Sequence, residues 1–438
     1  MSIEKQSRII HPGRFKSGVV HPPTDRSISH RTALLAGISS GTSTIRGFRQ
    51  TDECLNTLSA MEALGARSRF DADGVLTIQG TGGRMLEPAG PLDVGISLTA
   101  MRLLAGLCAG APITTTLSGN EVLNHHLMDR IQEPLRLMGA DVQLTPARTA
   151  PMVIRGGGLK GISYSPPFGG AQVKSCCILA GLYAEGVTTV VEPVPTRDHT
   201  ERLIAALGAP LVVDGPRISL QGYGPSGPKF KARDYVVPGN FSGAAYWLVA
   251  AAATPGLSIR AENVGLNPRR TALLSVLGRM GADVQVETTS PPDAPERYGS
   301  VTVTGPDSLL STTVAGDEIH NLIDELPLVA FLGSRARGTT TIRDVHREIG
   351  MMHAILDNFT QLGIPVTPQA DGFVVEGPAP ISPAHAAVKS YEDARVAMAM
   401  AVLAAFADRP ILVGNVACVD DYYPEFWNQL TELGVTVE

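Results

Sequence analysis

The stretch RTALLSVLGRMGADVQV, residues 270–286, decides the fold. Leu273, Val276, Leu277 and Met280 recur at three- and four-residue spacing, which lays one apolar stripe along a helix. Gly281 offers the left-handed conformation that ends a helix at low cost. Val284 and Val286 beyond it are β-branched, as a strand prefers.

The same phrase returns as TLSAMEALGARSRF (57–70), IQEPLRLMGADVQL (131–144), ERLIAALGAPLVV (201–213), AILDNFTQLGIPVT (354–367) and EFWNQLTELGVTVE (425–438). Its glycines, Gly65, Gly139, Gly208, Gly281, Gly363 and Gly434, fall roughly 70–80 residues apart, so each unit has room for further strands. Second helix candidates, AQVKSCCILAGLYAEG and GAAYWLVAAAATPG, sit within the units. Six units split naturally into two similar halves, with the change near the Pro/Gly-rich stretch 222–240. The expectation is an α/β protein.

Composition narrows the function. The 438 residues suffice for two or three cores, and 44% hydrophobic with 18% charged residues is globular. A net charge of −6 gives no reason to expect nucleic acid or anionic membrane as partner. The five cysteines form no C-x-x-C pair, which suggests buried thiols in a reducing compartment. The N-terminus lacks an apolar signal core and no apolar run is long enough to span a bilayer, so a soluble cytoplasmic protein is expected.

Charged groups gather at predicted helix starts, where free N–H groups favour anions. HPPTDRSISHRTALLAG (21–37) carries Arg26, Ser27 and Arg31, and LDVGISLTAMRLLAGLCAG (92–110) places a loop before a helix. FGGAQVKSCCILAGL (168–182) offers Gln172 and Lys174; TRDHTERL (196–203) offers Thr196, Arg197 and His199. LIDELP adds Asp324 and Glu325, HREI adds Arg347 and Glu348, and SYEDARVAMAM adds Asp393 and Arg395. Arginines with two carboxylate centres suit an anionic, polyhydroxylated substrate and a proton transfer on it. No His/Cys/Asp cluster has metal-ligand spacing, and neither a P-loop nor a dinucleotide fingerprint is present. Neither metal nor cofactor is expected.

At these residues the whole chain resembles the 5-enolpyruvylshikimate 3-phosphate (EPSP) synthase family. DRSISHR is similar to the family's D-K-S-I-S-H-R; AQVKS, LAGLYAEG, TRDHTER, LNPRRTALLSVLGRMGADV, LIDELP and YPEFW follow in order. The resemblance implies an enolpyruvyl-transferase fold of two domains, each of three βαβαββ units, closing on substrate in the cleft between them. One domain would be residues 1–20 plus 238–438, the other 21–237. A monomer or weak homodimer is expected.

Carried over residue by residue, the resemblance puts Ser27, Arg31, Thr196 and Arg197 on the shikimate-type substrate, with Arg31 on its ring carboxylate. Gln172 falls between the two substrates, and Asp324 on ring hydroxyls as a proton carrier. Arg395 is retained for the phosphoenolpyruvate side. Arg26 and Arg347 stand where the family has lysines, and arginine is a poor proton donor. Gly170 replaces a phosphate-binding serine. The phosphoenolpyruvate side departs further: G-N-x-G-T reads Gly95-Ile96-Ser97-Leu98-Thr99, R-P reads His126-Leu127, K-E-S-D-R ends in Met351, and D-H-R reads Asp393-Ala394-Arg395. Losing two anion-binding arginines, each worth roughly 1.5–3 kcal/mol, would weaken binding, and Leu98 would fill space.

The departures at Ile96, Leu98, His126, Met351 and Ala394 favour a lyase that works without phosphoenolpyruvate. It would remove a proton from 3-phosphoshikimate, or shikimate, and expel the C3 group by 1,4-elimination to a cyclohexadiene carboxylate. Glu348, Asp324 or His126 would take the proton, and Arg26 with Arg347 would steady the leaving group. The alternative is carboxyvinyl transfer from phosphoenolpyruvate, favoured by the chain-long resemblance. A second alternative is a non-catalytic shikimate-binding protein.

Overall fold

The computed structural model describes residues 7–345, 349–382 and 387–438. They form two compact units. One contains Thr24–Pro238 with Pro292–Glu296; the other contains residues 7–23, Gly239–Pro291 and Arg297–Glu438.

The helices of the Thr24–Pro238 unit include α1 (Arg26–Ile38), α2 (Asp52–Ala63), α3 (Leu98–Gly110), α4 (Asp129–Met138), α5 (Ala171–Gly181) and α6 (His199–Ala205). They are laid out with three four-stranded sheets. In one sheet, Leu92–Asp93 runs parallel to Thr114–Ser118, which pairs antiparallel with Met152–Arg155, itself antiparallel to Asp141–Gln143. Strand, α3, strand, α4 and a hairpin make one βαβαββ repeat. The sheet beside α5 and α6 is built identically from Ser163–Tyr164, Val187–Val191, Arg217–Gln221 and Leu211–Asp214. The sheet beside α1 and α2 takes its parallel edge, Tyr235–Val236, from the far end of the unit.

The second unit repeats the plan with α7 (Phe241–Ala252), α8 (Ala272–Arg279), α9 (Leu326–Arg335), α10 (Ile349–Gln361), α11 (Ala394–Ala404) and α12 (Phe426–Glu432). Among the described residues, two of its sheets have four strands. The third has three, with Arg8–Ile10 antiparallel to Ile411–Gly414 and that strand parallel to Ala387–Lys389.

All six phrase-ending glycines have positive φ, between 71° and 110°. After each, the next residue's N–H reaches back over the last turn: Ala66 to Met61, Ala140 to Leu135, Ala209 to Ile204, Ala282 to Leu277, Ile364 to Phe359 and Val435 to Leu430, at 2.9–3.1 Å. This is the Schellman closure, which satisfies carbonyls a helix end would strand. One local device is used six times.

Each unit owns a core. Leu103, Leu104, Leu107, Ile178 and Leu179 are buried in one; Trp247, Leu248, Phe331, Val402 and Phe426 in the other. Nearly every residue of α7 and α11 is buried, so these helices lie within the core rather than against solvent. Cys54, Cys108, Cys176 and Cys177 are buried free thiols and Cys418 is half-buried. Among the described residues no helix is long and apolar enough to cross a membrane.

Candidate active site

In the Thr24–Pro238 unit, Asp25 starts α1 by accepting the Ile28 N–H at 3.0 Å, which sets Arg26 and Ser27 in the first turn. Arg26 Nη1 donates to Glu53 Oε1 across 2.6 Å. Arg31, one turn on, is buried. Its Nε donates to Thr200 Oγ1 (2.7 Å), its Nη1 to the Ser27 carbonyl (2.9 Å) and its Nη2 to Ser175 Oγ (3.0 Å). Burial lowers its pKa to about 10, so it remains a cation at neutral pH. Helices α1, α5 and α6 thus hold one arginine rigidly.

Gln172 sits in the first turn of α5, and α3 fixes both ends of its amide. Arg102 Nη1 donates to its Oε1 at 2.6 Å, while its Nε2 donates to Thr99 Oγ1 at 2.8 Å. With the acceptor end tied down, the amide's remaining N–H can only donate.

Thr196 donates to Glu192 Oε1, whose other oxygen accepts from Lys174 Nζ at 2.9 Å; Lys174 also reaches Glu201 Oε1 at 2.6 Å. These three charges are almost fully buried, and burial pushes Glu201 up. Lys174 is therefore a buried ion-pair partner beneath the Thr196–Arg197 loop. Arg197 is half-buried on that loop, and His199 Nδ1 lies 2.7 Å from Glu296 Oε1 within the same unit.

The departures are placed as follows. Ile96 is exposed, and Leu98 is half-buried and packs against the unit's apolar core. His126 is exposed, and its Nδ1 lies 3.1 Å from the Val122 carbonyl of its own turn. In the other unit Met351 and Ala394 are buried. Arg347 and Glu348 lie outside the described residues.

In that second unit, Asp324 lies in the short turn leading into α9. Arg395 Nη1 donates to its Oδ1 at 3.0 Å and Arg270 Nη1 to its Oδ2 at 3.2 Å. Arg270 Nη2 also donates to Asn240 Oδ1 and Ser242 Oγ, both at 2.9 Å, and Ser242 donates to Glu325 Oε1. Asp393 caps α11 by accepting the Arg395 N–H at 2.8 Å, and its carboxylate takes Nη2 of the same arginine at 2.7 Å. Sequence reading missed Arg102, Arg270 and Asn240. Arg270 lay within the quoted LNPRRT run, but nothing in the run announced a carboxylate many residues ahead. Among the described residues no group of three or more His, Cys, Asp or Glu could hold a metal ion.

Six βαβαββ repeats in two units define an enolpyruvyl-transferase fold. The solved enolpyruvyl transferase NikO from Streptomyces tendae is 18% identical and superimposes with a TM-score of 0.77 over 99% of this chain and 98% of its own. EPSP synthase from Acinetobacter baumannii is 34% identical with a TM-score of 0.90, over 99% and 100%. The pattern of the family described as EPSP synthase (3-phosphoshikimate 1-carboxyvinyltransferase) matches residues 10–430. The chain belongs to the EPSP synthase family. Proteins called 3-phosphoshikimate 1-carboxyvinyltransferase from Akkermansia muciniphila and Methylococcus capsulatus are 40% and 39% identical, covering 95% and 98% of this chain and 97% of each relative.

These relatives correct the expected phosphoenolpyruvate-independent elimination by a lyase. Carboxyvinyltransferases remain similar along nearly the whole chain despite its changes at Leu98, His126 and Met351. A physical reason lies in Leu98, whose contacts with the apolar core do not require the steric block inferred from its size. Thr99, Arg102 and Gln172 beside it are joined by hydrogen bonds of 2.6 and 2.8 Å.

Proposed function

We propose that this enzyme transfers the carboxyvinyl group of phosphoenolpyruvate to a hydroxyl of 3-phosphoshikimate. A bond forms between the hydroxyl oxygen and C2 of the enol, the hydroxyl proton is given up, and the enol's C–O bond to phosphate breaks, releasing inorganic phosphate. Arg31 pairs with the ring carboxylate, and Ser27, Thr196, Arg197 and Arg26 serve the acceptor. Gln172 donates to a ligand oxygen. Asp324, held between two arginines, takes the hydroxyl proton. Arg395 adds positive charge beside it.

The observation that carries this reading is the chain-long identity to 3-phosphoshikimate 1-carboxyvinyltransferases. The test incubates the protein with 3-phosphoshikimate, with and without phosphoenolpyruvate labelled in its carbon skeleton. Phosphate release only when both are present, with label in a product heavier than the acceptor, is expected. Phosphate release and a new diene absorbance from 3-phosphoshikimate alone would overturn it.

A further inference from the structure

His30 belongs to none of the groups assigned above, yet it is buried where α1, α2 and the start of α3 meet. Its Nδ1 lies 2.7 Å from Thr57 Oγ1 on α2, and its Nε2 lies 3.2 Å from Ser97 Oγ. Hydrogen-bond direction can be read from the partners. Thr57 Oγ1 lies 3.3 Å from the Glu53 carbonyl, which can only accept; with the hydroxyl proton used there, Thr57 accepts from His30, and this assigns the proton to Nδ1. Nε2 is then a lone pair, to which Ser97 Oγ donates at 3.2 Å, with the Cys54 thiol a more distant neighbour at 3.9 Å. Ser97 Oγ keeps capacity to accept the Ala100 N–H at 3.2 Å, the bond that caps α3.

Ser97 caps α3 directly after the Gly95–Ile96 turn. Directly after it come Leu98, then Thr99 and Arg102, which hold Gln172. On the other side, α1 carries Arg26, Ser27 and Arg31. We propose that His30 is a positioning residue that ties the Ser97 turn to α1 and α2, and so sets where Thr99, Arg102 and Gln172 meet the enolpyruvyl donor. It touches no substrate. The assignment to the donor rests on the carboxyvinyl-transfer reading, while the His30–Ser97 link does not.

The experiment compares wild type, His30→Phe, Ser97→Ala and the double variant. KM for phosphoenolpyruvate and for 3-phosphoshikimate is measured separately with kcat. His30→Phe keeps a ring and removes both hydrogen bonds. Each single variant is expected to raise the phosphoenolpyruvate KM by roughly tenfold, as loss of one buried hydrogen bond implies. The acceptor KM should stay within about twofold, and the double variant should be no worse than the poorer single one. Equal changes in both KM values, no change, or effects that multiply would overturn the proposal. Imidazole 15N spectra of wild type and Ser97→Ala give an answer even if His30→Phe fails to fold. A protonated Nδ1 and a bare Nε2 whose signal moves in Ser97→Ala is expected; a protonated Nε2, or an unmoved signal, would overturn the link. Wild type that is silent with phosphoenolpyruvate yet shows the expected spectra would sink the transferase reading and the donor assignment, and leave the His30–Ser97 link standing.

Discussion

Arg395 Nη1 donates to Asp324 Oδ1 across 3.0 Å, while the arginine's other edge is held by Asp393. Arg395 therefore cannot turn away without breaking its hold on the cap of its own helix. Arg270, braced by Asn240 and Ser242, grips the second oxygen of Asp324. The carboxylate is fixed from both sides by cations that do not need to be reorganised during a reaction, which is the arrangement electrostatic catalysis favours.

Asp324→Asn keeps the size of the side chain and removes its charge and its basicity. Steady-state assays with both substrates are expected to show kcat lowered by about 10²–10⁴-fold, the usual range for a lost proton carrier. Thermal unfolding should confirm a folded variant. A kcat within tenfold of wild type would remove Asp324 from the chemistry.

Arg102→Leu tests whether Gln172 works through its fixed amide. The variant leaves Oε1 without its charged donor and lets the amide flip. Loss of such a bond is worth about 1.5–3 kcal/mol, so the phosphoenolpyruvate KM should rise roughly 10- to 100-fold. Arg102→Lys should recover part of this. If Gln172→Ala alone weakened binding and Arg102→Leu did not, Arg102 would be only a packing residue.

The sequence carried local devices well and long-range ones poorly. Six helix–Gly–strand phrases announced six repeats because the Schellman closure is local: one glycine and one backbone bond suffice. The start of α1 at Arg26 and Ser27 was legible for the same reason. Lys174, by contrast, read as a cation at a helix start, and its two glutamate partners, one just past the end of a strand and one in another helix, are brought to it by folding. Arg270 as a partner of Asp324, and Asn240 as the brace of Arg270, were invisible until the chain was folded. Leu98 misled for a related reason. Side-chain volume can be read from a letter, but the direction in which it is packed cannot.

Leu98→Ala separates packing from obstruction. If the side chain chiefly covers the core, truncation should cost about 1–3 kcal/mol in a chemical denaturation experiment, below the full cost of a wholly buried leucine. The phosphoenolpyruvate KM should then stay within about threefold. A KM that fell tenfold with stability unchanged would place the side chain in the donor's space.

The buried imidazole also predicts how the protein responds to acid. His30 is lowered from about 6.5 to about 3, mainly by burial and then by the nearby cations Arg26 and Arg31, against a smaller opposing effect of Asp25. Glu53 Oε2 lies 4.0 Å from Nε2, and Cys54, Thr57 and Ser97 complete its surroundings. Between these two values the unfolded chain binds a proton that the folded one refuses, so stability falls as pH drops through that window and is unaffected above it. Each unit of pH within the window is worth at most about 1.4 kcal/mol. His30→Gln removes the titration. Urea unfolding of both proteins at pH 7, 6, 5 and 4.5 should therefore show a stability gap that shrinks by about 2–3 kcal/mol between pH 7 and 4.5, in favour of the variant. A gap independent of pH would mean that the folded protein protonates His30 as readily as water does.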